Sequence, residues 1–560
     1  MKTELCIVSS LAKVFLDEAP RPSQALERLS GFLNENLSFQ AAWRGVDGRA
    51  PTPAYLEIDA PNPLLAFMKV RRVCHVPVKL AAYADADDDY LRKSPGLYPD
   101  LLREPDGLGP GGEGTGIWQI YPNQWESAWI DIDMMGAAFP GVYPVEVRLT
   151  GPDGETLASR TVEVELLAGQ LPEQKLIRTQ WFHCDGLLRR YHVAFGSDAF
   201  FRIAGRFIER AVERGINMIL TPTHTPPLDT AEGGERLTTQ LVRIDVAGGK
   251  YRFDFIWLDR WVELCLQKGV RYFEIPHLFT QWGARHAPKI VAREDGVEKR
   301  LFGWETRSDD PAYIGFLKAY LGALVGRLRA LGIDRRCYFH ISDEPSLEHL
   351  ADYRAARDSV AGLLEGFPII DALSDFEFYR TGAVARPIPA NNHIQPFIDA
   401  GVKGLWTYYC YGQYREVSNM FIAMPSARNR ILGVQLYKYR IEGFLQWGYN
   451  FYNSQYSLYP IDPYLVTDGD GFVPAGDPFQ VYPGEEGPED SIRLMVTQEA
   501  MDDLRAFQLL EALRGRAYVM RLIEEGLDAP ITFERYPRDE RYLLGLRERV
   551  NQAIVEALRP

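Results

Sequence analysis

The segment Cys337-Tyr338-Phe339-His340-Ile341-Ser342-Asp343-Glu344-Pro345 carries the signal that decides the fold. Its apolar, β-prone residues lead into two adjacent carboxylates, and the proline stops the strand because it has no N–H to donate to a sheet. A helical run follows as far as Leu364. A buried strand that ends in Asp-Glu before a helix is typical of a (β/α)8 barrel, in which the chemistry lies at the C-terminal ends of the strands.

Asp343 and Glu344 admit two interpretations. Neighbouring carboxylates repel each other, so one of them should keep its proton near neutral pH, which is the property that a general acid needs. The pair could instead be a favourable charge at the N-terminus of the following helix, where the helix dipole attracts anions. The residues that surround the pair in the predicted fold favour the first interpretation.

After a linker at 169–174 the sequence alternates between strands and helices, which predicts a parallel sheet. The pattern fits a (β/α)8 barrel with insertions, among them a hairpin at 242–253 that would ride on the catalytic face. A long helix is predicted at 427–446, before the last strand. The predicted strands are 177–182, 218–221, 270–275, the segment that carries Asp343 and Glu344, 368–373, 386–390, 402–408 and 448–453.

The residues before this linker predict an all-β fold. Short strands with one apolar face, such as 145–149 and 161–166, alternate with turns rich in glycine and proline, a pattern typical of a β-sandwich. The predicted organisation is therefore an N-terminal β-sandwich at 1–172, a catalytic (β/α)8 barrel at 173–515 and a C-terminal helical tail packed on the barrel at 516–560.

Composition limits the function further. The chain has 560 residues and a formal net charge of −14, so partners that need a basic patch, such as nucleic acid and anionic membranes, are excluded. No apolar run reaches the length of a transmembrane helix, and the N-terminus lacks the pattern of a signal peptide. The six cysteines are scattered and are interpreted as reduced thiols. These features predict a cytoplasmic protein.

The ends of the predicted strands combine carboxylates with aromatic side chains, which suits a sugar. The C–H faces of pyranose rings pack on aromatic rings, and their hydroxyl groups need polar partners. Each aromatic residue taken alone is more often a cover for the barrel core. The residues at the strand ends are Trp181, His183, Asp185, His224, Glu274, His277, Trp282, Asp343, Glu344, Asp375, Asn392, Trp406, Tyr408, Tyr409, Trp447 and Tyr452.

The expected nucleophile of an ordinary retaining glycosidase is missing. The Asp-Glu-Pro of strand four is similar to the Asn-Glu-Pro of the large retaining clan with this barrel, which places its nucleophilic Glu at the end of strand seven. Strand seven here reads Leu405-Trp406-Thr407-Tyr408-Tyr409-Cys410-Tyr411-Gly412, with no carboxylate before Glu416. A 2-acetamido sugar can supply the nucleophile itself, because its amide oxygen can attack C1 and form an oxazolinium ion.

In such a reaction the two adjacent carboxylates would divide the work. Glu344 would protonate the leaving oxygen, and Asp343 would orient the acetamide group and accept its N–H, which becomes more positive in the transition state. Tyr408 could donate a hydrogen bond to the acetamide carbonyl, and Trp406 and Trp447 could wall the acetamido pocket or stack on the ring. The other candidate substrate-binding residues, of which the first three would bind hydroxyl groups, are Asn392, His224, His183 and Tyr452. For the two histidines an equal alternative is a structural role, in which other protein groups satisfy their hydrogen bonds.

Four stretches add a family resemblance: 179–185 (TQWFHCD), 215–222 (GINMILTP), 341–345 (ISDEP) and 441–447 (IEGFLQW). With them the chain resembles glycoside hydrolase family 123 and its close relatives, the β-N-acetylgalactosaminidases. The resemblance implies an N-terminal β-sandwich, a (β/α)8 barrel and substrate-assisted retaining hydrolysis, with Asp343 as amide stabiliser and Glu344 as general acid/base. Strand seven has fewer tryptophans than the family and lacks its Cys-Cys-Gly step. That departure indicates a divergent branch, whose linkage and aglycone preference the resemblance does not fix.

The sequence therefore predicts an exo-acting, retaining β-N-acetylgalactosaminidase that needs no metal or cofactor. Its partner would be a carbohydrate with a terminal β-linked N-acetylgalactosamine; galacto against gluco configuration stays open, as does assembly into a homo-oligomer. One alternative is a metal-dependent barrel hydrolase, whose ligands would be His183, Asp185, His224, Glu274 and His277.

Two further alternatives need no metal. A two-carboxylate β-glycosidase acting on a non-acetylated sugar would use Glu274, Asp375 or Glu377 as its second carboxylate. A non-catalytic carbohydrate-binding protein would need no reactive pair, and the intact Asp-Glu pair argues against it.

Overall fold

The computed structural model describes residues 2–105, 116–134 and 136–559, and β-strands dominate the first part of the chain. The described elements of this part are β1 (Thr3–Ser9), β2 (Arg28–Phe32), β3 (Asn36–Gly45), β4 (Thr52–Asp59), α1 (Asn62–Leu65), β5 (Met68–Val78), β6 (Gly96–Arg103), β7 (Ile117–Ile120), β8 (Glu126–Asp133), β9 (Gly141–Thr150) and β10 (Thr156–Leu167).

Two sheets in this part share one apolar core. One sheet contains the run β1-β3-β8-β5-β6, and the other has the order β2-β10-β9-β4-β7. Neighbouring strands pair antiparallel, except that β10 pairs parallel with β2. Phe39 of β3, Leu56 of β4 and Val147 of β9 belong to the shared core. Alternation of apolar and polar residues along each strand gives both sheets an inner apolar face.

The rest of the chain mixes strands and helices. Its described elements are β11 (Ile177–Gln180), α2 (Cys184–Arg190), α3 (Asp198–Glu213), β12 (Met218–Leu220), β13 (Arg243–Ala247), β14 (Lys250–Asp254), α4 (Ile256–Gln267), β15 (Tyr272–Ile275), β16 (Ile290–Glu294), β17 (Val297–Phe302), α5 (Pro311–Ala330), β18 (Cys337–Phe339), α6 (Leu350–Val360), β19 (Ile370–Ala372), α7 (Phe376–Arg380), β20 (Arg386–Ile388), α8 (Gln395–Asp399), β21 (Trp406–Tyr408), α9 (Ser426–Arg430), α10 (Leu432–Lys438), β22 (Gly443–Gln446), β23 (Val481–Pro483), β24 (Pro488–Ser491), α11 (Ile492–Arg514), α12 (Arg516–Glu524) and α13 (Glu540–Leu558).

The main strands of this part are parallel, so their C-terminal ends lie on one face. Six of them form a sheet in the order β18-β15-β12-β11-β22-β21, and β19 and β20 form a two-stranded sheet. Every pair in these sheets is parallel. Single parallel bridges, Phe339 with Ile369 and Ala390 with Tyr408, join the two sheets at both edges. The strand ends predicted to carry chemistry therefore meet.

The last of these strands differs from the sequence prediction. Residues 443–446, predicted as the end of a helix, form β22, and 448–453, predicted as the eighth strand, lie beyond its C-terminal end. Phe444 and Leu445 fit either a helical stripe or a strand, so the apolar pattern alone could not place them. Gly443 lies against the Trp406 indole, where an added Cβ would come within 1.9 Å of the ring.

The predicted hairpin at 242–253 is present as β13 and β14. It joins β16 and β17 in a four-stranded sheet. The rings of Tyr251 and Phe316 meet edge-on with their centroids 5.2 Å apart, and Phe253 packs against Tyr320 in the same way. The hairpin therefore leans on α5.

After the parallel strands the chain returns to the first part. β24 pairs with β6, so residues 481–491 extend the first sheet. Buried ion pairs accompany this contact, since Asp490 accepts hydrogen bonds of 2.7 Å from Arg71 and 2.8 Å from Arg214. Asp100 of β6 likewise accepts a 2.8 Å bond from Arg493 of α11. The two parts of the chain on either side of the predicted boundary at residue 172 thus share a sheet and buried ion pairs.

The C-terminal helix contacts both parts. Arg547 of α13 donates a 3.0 Å hydrogen bond to Asp503 of α11 and another to Glu35, which follows β2. Asn551 donates a 2.9 Å bond to the Ser30 hydroxyl. All cysteines are free thiols. No helix within the described ranges is both long and apolar enough to cross a membrane.

Candidate active site

The Asp343-Glu344 pair follows β18, at the face where the parallel strands end. Neighbouring segments fix its backbone: the Glu344 N–H donates a 3.0 Å hydrogen bond to the carbonyl of Ala372, and the Trp282 N–H donates a 2.8 Å bond to the carbonyl of Asp343. Glu344 has a φ of 43°, in the left-handed region that L-residues seldom adopt. The main chain therefore turns sharply here and presents both carboxylates to the same face.

Tyr408, the last residue of β21, contacts this pair directly. Its phenol donates a 2.6 Å hydrogen bond to Glu344 Oε1. Burial raises the pKa of Glu344 above its usual value, and the Tyr408 hydrogen bond works against that rise. Glu344 is thus held in one orientation with its pKa shifted in the direction that a general acid requires.

Asp343 is the more perturbed member of the pair. Burial raises its pKa well above the usual range, and the negative charge of Glu344 adds to the effect. Its Oδ1 is buried and has no hydrogen-bond partner among the described residues. A buried acceptor without a donor is costly, so this oxygen is prepared to receive an N–H or O–H from a ligand.

The two carboxylates open into a pocket with a volume of about 90 Å³. Aromatic rings and three carboxylates dominate its walls, which is the combination that sugars favour. The described residues that line it are Trp181, Leu228, Asp229, Gln281, Trp282, Asp343, Glu344, Ala372, Tyr408, Cys410, Tyr411, Leu445, Trp447, Gln455, Tyr456 and Phe472.

Asp229 is the carboxylate of this pocket that sequence reasoning missed. It lies on the long loop after β12, and its Oδ2 accepts a 3.0 Å hydrogen bond from the Tyr456 N–H. Burial raises the pKa of Asp229 to about 6, and its negative charge contributes to the raised pKa of Asp343. No periodic pattern marks this loop, so only the proximity of Asp229 to Asp343 in the fold reveals it.

Backbone strain concentrates at this pocket. Glu344 shares a positive φ with three other lining residues, since the φ values are 40° at Asp229, 59° at Trp282 and 56° at Tyr456. Two of these residues, Trp282 and Tyr456, also form the rim of the pocket. Their rings meet edge-on with centroids 5.8 Å apart, and their exposed fractions are 41% and 37%. Such conformations persist only where the surroundings impose them, and they cluster at ligand-binding sites.

A buried charge network lies beneath the pair. The His340 ring contacts Glu274 Oε1 at 2.6 Å and Asp371 Oδ1 at 3.2 Å. Burial alone would lower the pKa of His340, but the hydrogen bonds to the two carboxylates raise it to about 9. His340 is therefore an imidazolium buried between two carboxyl groups. Tyr353 donates to Asp371, and the Trp181 indole donates a 2.8 Å bond to Glu274.

The same network contains the group that comes nearest to a metal site within the described ranges. His277, His340 and Asp371 each offer one ligand atom, and these atoms lie within 4.8 Å of one another. The two imidazole rings, however, are nearly stacked, with centroids 4.3 Å apart and planes tilted by 31°. His340 already uses both ring nitrogens for carboxylates, so it has none left for a metal ion in this arrangement. The geometry fits a charge network better than a metal centre.

The metal ligands suggested by the sequence are engaged elsewhere. Asp185 and His183 both contact the guanidinium of Arg236, at 3.0 Å and 3.1 Å respectively. The His224 ring lies 2.9 Å from the carbonyl of His277, and burial lowers its pKa to about 4. Asp185 and His183 thus share Arg236 as their partner, whereas His224 has the carbonyl of His277.

Among the candidate substrate-binding residues, Tyr408 and Trp447 line the pocket together with the catalytic pair. His183 and Tyr452 do not: the His183 ring lies 2.9 Å from the carbonyl of Trp447, and the Tyr452 hydroxyl donates a 2.8 Å bond to the carbonyl of Val481. Burial lowers the pKa of His183 to about 3, with Arg236 adding to the effect. His183 is thus a neutral support for the Trp447 segment.

Trp406 and Asn392 also lie outside the pocket lining. Trp406 is 1% exposed and packs against Tyr338, with ring centroids 5.7 Å apart, one layer below Tyr408. Asn392 lines a separate groove, to which Glu344 and Tyr408 also contribute. His224 packs edge-on against Tyr320 of α5, with ring centroids 6.1 Å apart.

The carboxylates considered for a two-carboxylate glycosidase occupy three different environments. Glu274 is fully buried and accepts hydrogen bonds within the network beneath the pair. Asp375 caps α7 by accepting a 2.9 Å bond from the Glu377 N–H, and Glu377 pairs with Arg380 on the surface. Of the carboxylates other than Asp343 and Glu344, Asp229 is the one that the pocket lining contains.

Comparison with known proteins places the chain in a family. The family profile described as "Glycoside hydrolase 123, catalytic domain" matches residues 181–510, which is more than half of the chain. No curated protein matched the sequence. A family 123 glycoside hydrolase from Clostridium perfringens, studied for glycolipid glycan hydrolysis, has a similar fold, with a TM-score of 0.73, 15% identity and coverage of 99% of this chain and 98% of that one.

A β-glucuronidase from Bifidobacterium dentium is much less similar, with a TM-score of 0.32, 10% identity and coverage of 89% of this chain and 66% of that one. That level of similarity supports no argument. The family profile, in contrast, includes the Asp343-Glu344 pair and all the described residues that line the pocket. The protein belongs to glycoside hydrolase family 123 and is a glycosidase that acts on a carbohydrate.

Proposed function

We propose that the protein is an exo-acting, retaining β-N-acetylgalactosaminidase that works by substrate-assisted catalysis. The observation that carries the proposal is the unpartnered, buried Oδ1 of Asp343, next to Glu344 in an aromatic pocket. An acetamide N–H is the donor that such an oxygen needs, and Glu344 stands beside it as the acid.

The reaction would proceed in two steps. In the first, the acetamide oxygen attacks C1, the bond from C1 to the leaving oxygen breaks, and Glu344 gives its proton to that oxygen. Asp343 accepts the acetamide N–H and stabilises the positive charge of the oxazolinium ion. In the second, Glu344 removes a proton from water, which attacks C1 from the face that the leaving group vacated, and the bond from C1 to the acetamide oxygen breaks, which restores the acetamide. Two inversions retain the configuration.

The protonation states of Glu344 and Asp343 suit these roles when substrate is bound. Burial keeps the pKa of Glu344 raised, so the acid form persists toward neutral pH. Burial and Glu344 also raise the pKa of Asp343, but an acetamide N–H at Oδ1 and the nascent cation would favour its ionised form. Substrate binding and ionisation of Asp343 therefore support each other.

The proposal includes the architecture. The two parallel sheets and the two bridges between their edges support a closed (β/α)8 barrel. We place its boundaries at 173–515, with a β-sandwich at 1–172 and a helical tail at 516–560. The preference for the galacto configuration rests on the family resemblance, and a cytoplasmic location stays a prediction.

One observation favours a second candidate. Asp229 in the pocket wall could serve as an enzyme nucleophile, which would make the protein a two-carboxylate β-glycosidase active on sugars without an acetamide. The two candidates predict different substrates, because only substrate assistance requires the acetamide.

The experiment compares p-nitrophenyl β-N-acetylgalactosaminide with its N-acetylglucosaminide and plain β-galactoside counterparts, each with and without a chelator. Cleavage of the first substrate alone, unaffected by the chelator, is the expected result. Cleavage of the plain galactoside would favour the second candidate, and loss of activity with the chelator would reopen a metal-dependent mechanism.

A further inference from the structure

Three aromatic rings form one wall of the pocket and pack against one another. The ring centroids of Tyr411 and Phe472 lie 5.4 Å apart, and those of Trp447 and Phe472 lie 6.4 Å apart. All three residues line the pocket. They belong to three different segments, since Tyr411 follows β21, Trp447 follows β22 and Phe472 precedes β23. The shape of this aromatic wall therefore depends on the groups that hold these segments together.

Asp477 holds one ring of the aromatic wall from outside the pocket. The indole N–H of Trp447 donates a 2.8 Å hydrogen bond to Asp477 Oδ2. Asp477 is 0% exposed and does not line the pocket. The indole N–H is the single polar group of a tryptophan side chain, so its acceptor decides which orientation of the ring is satisfied. A carboxylate acceptor makes this bond stronger than a bond between neutral groups.

The main chain beside Trp447 fits closely against the segment of Asp477. Gln446 bridges the two, because its side-chain amide donates a 3.0 Å bond to the carbonyl of Asp477 and its Oε1 accepts a 2.7 Å bond from the Gly448 N–H. An added Cβ at Gly448 would come within 2.3 Å of the carbonyl oxygen of Pro478. Only glycine permits this approach. Trp447 and Asp477 are therefore held at a fixed separation.

The segment of Asp477 is itself fixed by the rest of the chain. Arg493 of α11 donates a 2.6 Å bond to the carbonyl of Gly476 and a 2.9 Å bond to the carbonyl of Phe479. The counter-charge of this buried arginine is Asp100 of β6. Asp477 thus lies on a rigid support, which is what a residue that positions another side chain requires.

The electrostatics of Asp477 agree with this geometry. Burial raises the pKa of Asp477 to about 7, and the hydrogen bond from Trp447 opposes that rise. The main-chain N–H of Tyr411 acts on this pKa in the same direction as Trp447. Two residues of the aromatic wall therefore interact with one carboxyl group, which takes no part in the proposed reaction.

We propose that Asp477 is a positioning residue, which fixes the aromatic wall against which the sugar packs by accepting the Trp447 indole N–H. The inference rests on the proposed function, because it takes the hexosamine to occupy this pocket. A wall of this kind contacts the sugar in the ground state and in the transition state alike. Loss of its orientation should therefore raise KM more than it lowers kcat.

The kinetic test uses p-nitrophenyl β-N-acetylgalactosaminide. Asp477→Ala should raise KM about tenfold, the cost of losing one hydrogen bond to a charged group. Asp477→Asn, whose amide oxygen can still accept the indole N–H, should stay close to wild type. In a Trp447→Phe background the Asp477→Ala change should raise KM no further, because no indole N–H is left to hold.

A spectroscopic measurement reports on the bond itself. In protein labelled with ¹⁵N-tryptophan, the indole signal of Trp447 is the one that disappears in Trp447→Phe. Above pH 7, where Asp477 is ionised, this signal should move in Asp477→Asn, which replaces a charged acceptor by a neutral one. In Asp477→Ala the indole N–H should also exchange faster with solvent. Asp477→Asn keeps the shape of the side chain, so the signal tests the idea even if Asp477→Ala folds poorly.

Thr467→Val is the matched control. Thr467 is buried in the same segment before β23, its hydroxyl donates a 2.8 Å bond to the carbonyl of Pro77, and it does not line the pocket. KM and the indole signal should keep their wild-type values in this variant.

Four results would each overturn the inference: an unchanged KM in Asp477→Ala, an equal rise of KM in Thr467→Val, a further rise in the Trp447→Phe background, or an unmoved indole signal in Asp477→Asn. If wild type cleaves no hexosaminide, the proposed function fails and the inference about the sugar falls with it. The indole signal would still decide whether Asp477 holds Trp447.

Discussion

The phenol of Tyr408 lies 2.6 Å from Glu344 Oε1 and donates its hydrogen bond to that oxygen. The two residues end different strands, β21 and the segment after β18, so the contact exists only because the parallel strands end on one face. It orients the acid and opposes the rise in its pKa that burial causes. It also means that, without substrate, Tyr408 is engaged with Glu344, although the sequence suggested the acetamide carbonyl as its partner.

Tyr408→Phe removes this hydrogen bond and should raise the pKa of Glu344. Activity needs protonated Glu344 and is lost as pH rises through its pKa, so the alkaline limb of the kcat/KM profile should move to higher pH. The measurement is the pH profile on the aryl hexosaminide. A limb that stays in place or moves to lower pH would show that the Tyr408 hydrogen bond does not govern the acid.

Glu344→Gln removes the proton donor while preserving shape. We expect kcat/KM for a disaccharide to fall about 10²–10⁴-fold, the range for loss of general acid catalysis. The fall should be much smaller for the p-nitrophenyl substrate in its first step, because that leaving group departs without protonation. Equal losses on both substrates would indicate that Glu344 has another role.

Asp343→Asn keeps the size of the side chain but replaces an anion that should accept the acetamide N–H. Oxazolinium formation precedes departure of every leaving group, so activity should fall about 10²–10³-fold on aryl and disaccharide substrates alike. Glu344→Gln is the matched comparison, since it should discriminate between the substrates. If Asp343→Asn retains wild-type activity, the substrate-assisted mechanism is wrong for this protein.

Asp229→Asn separates the two proposed mechanisms. The charge of Asp229 contributes to the raised pKa of Asp343, so removing it should lower that pKa. Ionised Asp343 would then persist to lower pH, and the acidic limb of the kcat/KM profile should shift downward. The amide oxygen of Asn can still accept from the Tyr456 N–H, which preserves the loop. Complete loss of activity would instead identify Asp229 as a nucleophile.

These residues show how far the sequence alone could lead. Parallel strands and the Asp343-Glu344 turn were predictable, because a buried strand, a carboxylate pair and a proline leave a local signature. Asp229 and Tyr456 were not, since they lie on loops without periodicity, which meet where the Tyr456 N–H donates to the Asp229 carboxylate. His183 and His224 resembled ligands in sequence, yet burial lowers the pKa of both, and Arg236 lowers that of His183 further, so they act as neutral supports.

His340 gives a prediction about stability. Its imidazolium lies between Glu274 and Asp371 and is fully buried. His340→Asn should leave these carboxylates without a counter-charge and lower the free energy of unfolding by about 3–5 kcal/mol, the usual cost of breaking a buried ion pair. Chemical denaturation measures this change, and His393→Asn, at an exposed histidine, is the control.

The pH dependence of that loss follows from the folded-state pKa of His340, which hydrogen bonds raise to about 9 from its ordinary value of 6.5. A raised pKa means that the folded state holds this proton more tightly, so the stabilisation is fully present below the unfolded pKa and is lost as pH rises toward 9. The difference in unfolding free energy between wild type and His340→Asn should therefore be largest below pH 6.5 and shrink as pH rises to 9. A difference that stays constant between pH 6.5 and 9 would mean that His340 is neutral in the folded protein.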